Sequence, residues 1–353
     1  MRVACAAGIA RISVSRMATL VCFGEVLLRL SAPGFEPLLR SARLEARFGG
    51  AEINVGIALA YLGHRVRAVT ALPDNPIGAA CLGELRRHGV DTSGVHLRPG
   101  RQGLYYYTAP AQLRPAQVVY DRAHSAFALA GADHYDWPAL LREAQWLHLS
   151  GITPALGEAP LAALQSAVAA ARAQSVRISF DCNIRRSLWQ GREQQAPTLL
   201  RPLAERAQLL IGNADDIEAL FGGARLSGSI AEQQQQAAQS AFAACPDLQH
   251  VAATHRLTHS ADHHTLTGLL CDRRATHVSR AFELDPVIER IGGGDAFAAG
   301  VLHGLCGNAD AQASIDFATA ASALKHTLPG DFSTLGAADV EHLLQGGRLD
   351  VRR

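Results

Sequence analysis

Strand-like and helix-like stretches alternate along this chain, and few folds accept that rhythm. Leu20-Val21-Cys22-Phe23-Gly24-Glu25 reads as a buried first strand, and Gly50 to Leu62 carries apolar residues at helical spacing. Arg65 to Leu72 alternates like a strand, and Gly78 to His88 is helical until Gly89 stops it. The rhythm resumes with a strand over Gln145 to Gly151, an alanine-rich helix over Ala159 to Gln174 and a strand over Val176 to Cys182. Further on come Leu209-Leu210-Ile211, a Gln-rich helix over Ala231 to Ala244, three short β segments between His250 and Arg280, and a helix over Ala311 to Lys325. Strands joined through helices run parallel, so the expectation is an α/β fold with a mainly parallel central sheet flanked by helices. Between the two runs the pattern changes. Gly103 to Thr108 and Gln117 to Arg122 are β-rich and read as an antiparallel hairpin. With the stretch near Ala32 to Phe48 they predict a small β-sheet lid, drawn from segments about 32–48 and 98–125.

Ligands in such sheets sit beyond the carboxyl ends of the parallel strands. Polar residues fall there: Asn183, Arg185 and Arg186 after one strand, and Asn213, Asp215 and Asp216 after another. Ile291-Gly292-Gly293-Gly294-Asp295 then opens an apolar helix. Three glycines let a ligand approach the backbone, and the helix start aims free N–H groups and a positive dipole end at it, which suits an anion. Asp295 in the first turn is also what an ordinary helix start would show.

With 353 residues, 48% hydrophobic and no linker, residues 18–353 read as one domain able to bury a large core. The 33 basic and 32 acidic residues form no one-sign run, which argues against nucleic acid and for a small metabolite. Met1 to Met17 reads as a disordered extension, too weakly apolar for a signal segment, and no later run is long enough to cross a membrane. Seven scattered cysteines without a CxxC pair suit a reduced, cytoplasmic protein.

Phe48-Gly49-Gly50-Ala51-Glu52-Ile53-Asn54-Val55 with Leu62-Gly63, and Gly292-Gly293-Gly294-Asp295-Ala296-Phe297, resemble the two signatures of the PfkB (ribokinase-like) carbohydrate kinases. Val119 to Arg122, His148 to Ile152, Asp181 to Arg185 with Leu188-Trp189, and Lys325 to Phe332 are similar to the 2-keto-3-deoxygluconate kinase branch. The likeness runs from about Thr19 to Gly346. It implies a ribokinase-like three-layer fold, ATP and Mg²⁺ as cofactors, and phosphoryl transfer to the terminal hydroxyl of a sugar acid, 2-keto-3-deoxygluconate. Asp295 would be the general base and Gly292, Gly293 and Gly294 the anion hole. Gly50, Asn54, Tyr105, Tyr120, Arg122, Asn183, Arg185 and Asp331 would contact the sugar acid. Arg122 and Arg185 are the informative ones, because a guanidinium matches a carboxylate and a neutral sugar supplies none; Arg186 is taken as a solvated charge. Tyr105 and Tyr107 share one face of their strand and Tyr106 the other, so not all three can serve the sugar.

The nucleotide side departs from the family. His250 to Leu257 stands where relatives present ATP with a glycine-rich loop, which is missing here, so Arg256 becomes the candidate phosphate contact beside Asn213, Gly292 and Gly294. Asn213-Ala214-Asp215-Asp216 has Asp where the family has Glu, so Asp216 would hold Mg²⁺ through water. Glu289 stands where relatives often have Asp and Gly293 where they often have Ala, so the likeness carries nothing about a monovalent cation. His255, His259, His263 and His264 could hold Zn²⁺ if the segment were shaped for it, but no cysteine accompanies them and the segment is assigned to the nucleotide. A neutral-sugar or nucleoside kinase of the same fold, and a non-catalytic sugar-acid-binding homologue, are the alternatives. Exposed edges of the lid sheet suggest a homo-oligomer.

Overall fold

A computed structural model describes residues 17–223 and 226–347, so the expected extension before Met17 lies outside the described residues, as does the Arg186 side chain. The large sheet has the strand order β13-β12-β11-β10-β9-β8-β1-β4-β5, with β14 also paired to β12. Its parallel part comprises β1 (Thr19–Phe23), β4 (Arg65–Pro73), β5 (Asp91–Arg98), β8 (Trp146–Ser150), β9 (Arg177–Asp181), β10 (Leu209–Ile211) and β11 (His250–Thr258). The antiparallel end adds β12 (His264–Cys271), β13 (Thr276–Val278) and β14 (Phe282–Leu284).

Alternation along the strands explains the three layers. Leu20 and Cys22 of β1 enter one hydrophobic cluster with the helices Ala51–Tyr61, Gly293–Cys306 and Ala311–Lys325. Val21 and Phe23 enter another with Glu158–Ala173, Gln195–Ala204 and Ile230–Ala244 on the opposite face. A sheet buried on both faces must be apolar at successive positions, and Leu20 to Phe23 all lie at 0% exposure. The six cysteines among the described residues are free and buried. None of the helices searched is long and apolar enough to cross a membrane.

The small sheet has the order β3-β2-β6-β7, from β2 (Leu27–Ser31), β3 (Glu45–Gly49), β6 (Leu104–Thr108) and β7 (Gln117–Asp121). The hairpin β6–β7 is antiparallel, with Tyr105 opposite Tyr120. The sheet starts upstream of the expected segment near 32–48: Leu27–Ser31 forms a strand, whereas the stretch holding Pro33, Gly34 and Pro37 is turns and bends before the chain returns as β3. Tyr105 and Tyr107 are buried and Tyr106 is half-buried, as alternation requires. Between His250 and Arg280, β11 and β12 span 9 and 8 residues, longer than the short segments expected.

Candidate active site

The small sheet stands over a cleft of about 340 Å³ at the carboxyl ends of the parallel strands. Every residue expected at the site lines it except Gly293 and Arg256. Gly292 takes a left-handed φ of 83° as the cap of the helix Gly293–Cys306, and a Cβ there would stand 2.0 Å from the Asp331 carbonyl. Gly293 instead packs on the His326 imidazole, 2.5 Å from where its Cβ would be, whereas a Cβ at Gly294 would meet nothing. Helical bonding begins with the Ala296 N–H donating to the Gly292 carbonyl at 2.9 Å, so the Gly294 and Asp295 amides precede any intrahelical acceptor. A buried apolar helix thus presents donors to an open place beside a carboxylate.

That carboxylate is Asp295. Asn54 donates its amide N–H to Oδ2 at 2.6 Å while its own Oδ1 accepts from the Gly50 N–H at 3.0 Å. Asn54 is therefore fixed at both ends, and it orients the acid. Burial pushes Asp295 up to about 6, with Asn54 and Arg185 opposing and Asp331 and Glu52 adding to the rise. An acid poised there takes a proton readily near neutrality. Asp181 is pushed further above the carboxylate range, first by burial and then by Asp295, Asp216 and Glu52. Asp181, Asp216 and Asp295 bring carboxylate oxygens into one cleft, and hard oxygen donors of this kind suit Mg²⁺. Asp216 also closes a capping box, accepting the Asn213 N–H at 3.2 Å as its own N–H donates to Asn213 Oδ1 at 2.9 Å.

The wall under the small sheet is bonded within itself. Arg29 donates to Asp331 Oδ1 at 2.9 Å and to Glu289 Oε2 at 2.6 Å. The hydroxyl of Tyr105 donates to Asp331 Oδ2 at 2.5 Å, and that of Tyr107 to Glu289 Oε1 at 2.9 Å. The same Glu289 oxygen accepts the amides of Arg290 and Ile291, tying this network to the glycine turn. Arg122 pairs with the buried Glu25 at 2.6 Å, so its charge already has a partner. Arg185 differs: it bonds to Asn183 Oδ1 at 3.0 Å and to the Tyr120 hydroxyl, and no carboxylate lies within ion-pair distance among the described residues. Glu25, Arg29 and Glu289 are the members of this wall that sequence reasoning missed or left without a role.

The adjoining wall, reached through Glu289 and Arg290, lacks such pairing among the described residues. Arg256 lies behind the cleft surface beside Arg290, which does line it. Neither arginine has a carboxylate partner among the described residues. Burial and Arg290 lower Arg256 to about 10, and its Nε is buried without a hydrogen-bond partner. Both ring nitrogens of the fully buried His264 and Nε2 of His326 are unpartnered as well. Arg290, two residues before Gly292, was not singled out from the sequence, where nothing in its spacing marks it.

A buried carboxylate beside a glycine-opened helix start, with donors and further carboxylates converging at the ends of a parallel sheet, is the arrangement of an α/β enzyme of the kinase type. The sequence pattern of the pfkB family carbohydrate kinases matches residues 17–335, and the chain belongs to that family, a phosphotransferase with a sugar acceptor. It is 31% identical over 336 residues to the 2-dehydro-3-deoxygalactonokinase of Haloferax volcanii, covering 95% of this chain and 99% of that one. The crystal structure of the 2-dehydro-3-deoxygluconokinase of Thermotoga maritima superposes with a TM-score of 0.88 at 36% identity, covering 93% of this chain and 100% of that one. A putative 2-keto-3-deoxygluconate kinase of Enterococcus faecalis superposes at 0.89 with 29% identity, over 95% and 99%.

Proposed function

We propose that this protein transfers the γ-phosphoryl group of ATP to the terminal hydroxyl of a 2-keto-3-deoxy sugar acid, 2-keto-3-deoxygluconate in the first place. The observation that carries the reading is Arg185, a guanidinium in the cleft with no carboxylate of its own, which the carboxylate of the substrate would satisfy. Arg122, paired with Glu25, holds the wall and presents its remaining N–H groups. Asp295 accepts the proton of the substrate hydroxyl as its oxygen bonds to the γ-phosphorus and the bridging P–O bond breaks toward ADP. The Gly292 and Gly294 peptides and the helix start stabilise charge on the moving phosphoryl oxygens. Asn213 and Arg290 face the nucleotide, and Arg256 adds its charge from behind Arg290. Asp216 and Asp181 would hold Mg²⁺, whose charge neutralises the phosphates when bound.

ADP release with Mg·ATP and a panel of 2-keto-3-deoxygluconate, its galacto epimer, fructose, ribose and adenosine tests this. Turnover is expected only with the keto-deoxy acids, and Asp295→Asn is expected to cut it about 10²–10⁴-fold. Turnover with fructose or ribose would return Arg185 to a structural role. The outer edges of the small sheet, β3 and β7, have no further strand paired to them among the described residues and Val119 is 57% exposed, so we read this sheet as the contact with a second copy. Light scattering that finds only monomer at micromolar concentration would remove that reading.

A further inference from the structure

The end of the β11–β12 hairpin carries a group of side chains that phosphoryl transfer does not use. The Thr258–His264 pairing ends the regular ladder, and the His259 N–H donates to the His263 carbonyl at 3.0 Å, so His259 and His263 face each other across the turn. On β12, Thr265 stands two residues beyond His263 and therefore on the same face, and its partner on β14 is Glu283. His264, one residue on, points the other way into the core. The four histidines thus divide: two meet at the hairpin end, His264 leaves them, and His255 stands four residues up its strand. Glu283, from a separate strand, takes the third place.

The groups converge. The imidazole centroids of His259 and His263 lie 4.4 Å apart. Nε2 of His263 bonds to Glu283 Oε1, and the Thr265 hydroxyl donates to Glu283 Oε2 at 3.0 Å while lying 2.8 Å from His259 Nε2. The two imidazole nitrogens and the carboxylate oxygen lie within 4.8 Å of one another. Ligands about 2.0–2.1 Å from a tetrahedral ion are about 3.4 Å apart, so small side-chain rotations close the set. The carboxylates of Asp262 and Asp285 add negative charge beside His263.

We propose that His259, His263 and Glu283 bind a divalent first-row transition ion of the Zn²⁺ class, with water or the Thr265 hydroxyl in the fourth position. Two imidazoles and one carboxylate suit Zn²⁺, Co²⁺ or Ni²⁺ rather than Mg²⁺, which takes oxygen donors. The site is separate from the cleft carboxylates. A bound ion joins the hairpin end to β14, six residues before Glu289, and so braces the segment leading into the glycine turn.

The test is titration of the full chain with Co²⁺, followed by visible absorption, with Zn²⁺ in competition and excess Mg²⁺ present throughout. One equivalent is expected to bind with the intense bands of a tetrahedral site, and Zn²⁺ is expected to raise the melting temperature. His259→Asn, His263→Asn and Glu283→Gln are each expected to weaken binding roughly 10–100-fold, at least what loss of a ligand's supporting partner costs. They are surface positions, and circular dichroism checks that they fold. Binding that all three variants retain unchanged places the ion elsewhere and overturns the proposal, as does a wild-type chain that binds no Co²⁺. The readout is metal binding, so the kinase reading can fail without touching it.

Discussion

The two walls of the cleft solve opposite problems. Under the small sheet, Arg29 is flanked by Glu289 and Asp331, Tyr105 and Tyr107 fill the remaining acceptors, and Glu25 answers Arg122. Beside it, Arg256 and Arg290 stand together with no carboxylate partner among the described residues, near His264, whose two ring nitrogens have no partner, and His326, whose Nε2 has none. A wall whose charges balance is shaped before any ligand arrives. One with surplus positive charge is completed by an anion.

Breaking the balanced wall carries the largest expected effect. Arg29→Met would leave Glu289 and Asp331 buried without their cation, and removing one partner of such a group costs about 3–5 kcal/mol. Urea unfolding should show that loss as a lower midpoint at unchanged slope. A loss under 1 kcal/mol would mean that the tyrosine hydroxyls and backbone amides alone suffice. Next is Gly294→Val. Its Cβ has open space, so the protein should fold with wild-type stability while the side chain fills the anion's place. A single anion-hole donor is worth about 2.7–4 kcal/mol, so kcat should fall about 10²–10³-fold. Gly292→Val, in contrast, meets the Asp331 carbonyl and should lose stability first.

The arginines sharpen the contrast further. Arg185→Met should raise KM for the sugar acid about 10-fold or more, the loss of one charge-assisted pair of about 1.5–3 kcal/mol, and leave KM for ATP in place. Arg290→Met should do the reverse. Steady-state kinetics with each substrate varied in turn separates the two, and equal effects on both would mean that the walls are not divided by ligand.

What could be read from the chain follows from how far apart the cooperating residues are. The glycine turn and its helix were legible because the requirement is local: a left-handed cap, a close approach and a free helix start all fall within a few residues. The core helices and strands followed from periodicity. Arg29 was not legible, since its partners Glu289 and Asp331 lie 260 and 302 residues away. Nor was the first strand of the small sheet, Leu27–Ser31, which follows β1 after only three residues and lies upstream of the expected segment near 32–48. Arg256 was singled out for its position, but only the fold shows that its neighbour Arg290 is the one at the cleft surface.

The smallest effect is a pH dependence whose sign differs between the walls. His326 is lowered to about 4, chiefly by burial, with Arg256, Lys325 and His264 adding to the shift and the Ser322 carbonyl opposing it. Its unfolded value is near 6.5, so between 6.5 and 4 the unfolded chain binds the extra proton, and the histidine's contribution is complete above 6.5 and shrinks as the pH falls. Asp295 has the opposite sign. Raised to about 6, it holds a proton in the folded chain that the unfolded chain has released above 3.8, so its contribution shrinks as the pH rises through that window. The wild-type slope mixes both, and the variants separate them. Between pH 4.5 and 6, His326→Gln should make the stability curve less steep by up to about 1.4 kcal/mol per pH unit on the acid side, and Asp295→Asn should steepen it. Inorganic triphosphate should shrink the His326 difference in part, because an anion beside Arg256 offsets the positive charge that adds to burial in keeping the imidazole neutral. An unchanged His326 difference at saturating triphosphate would place the anion away from this wall.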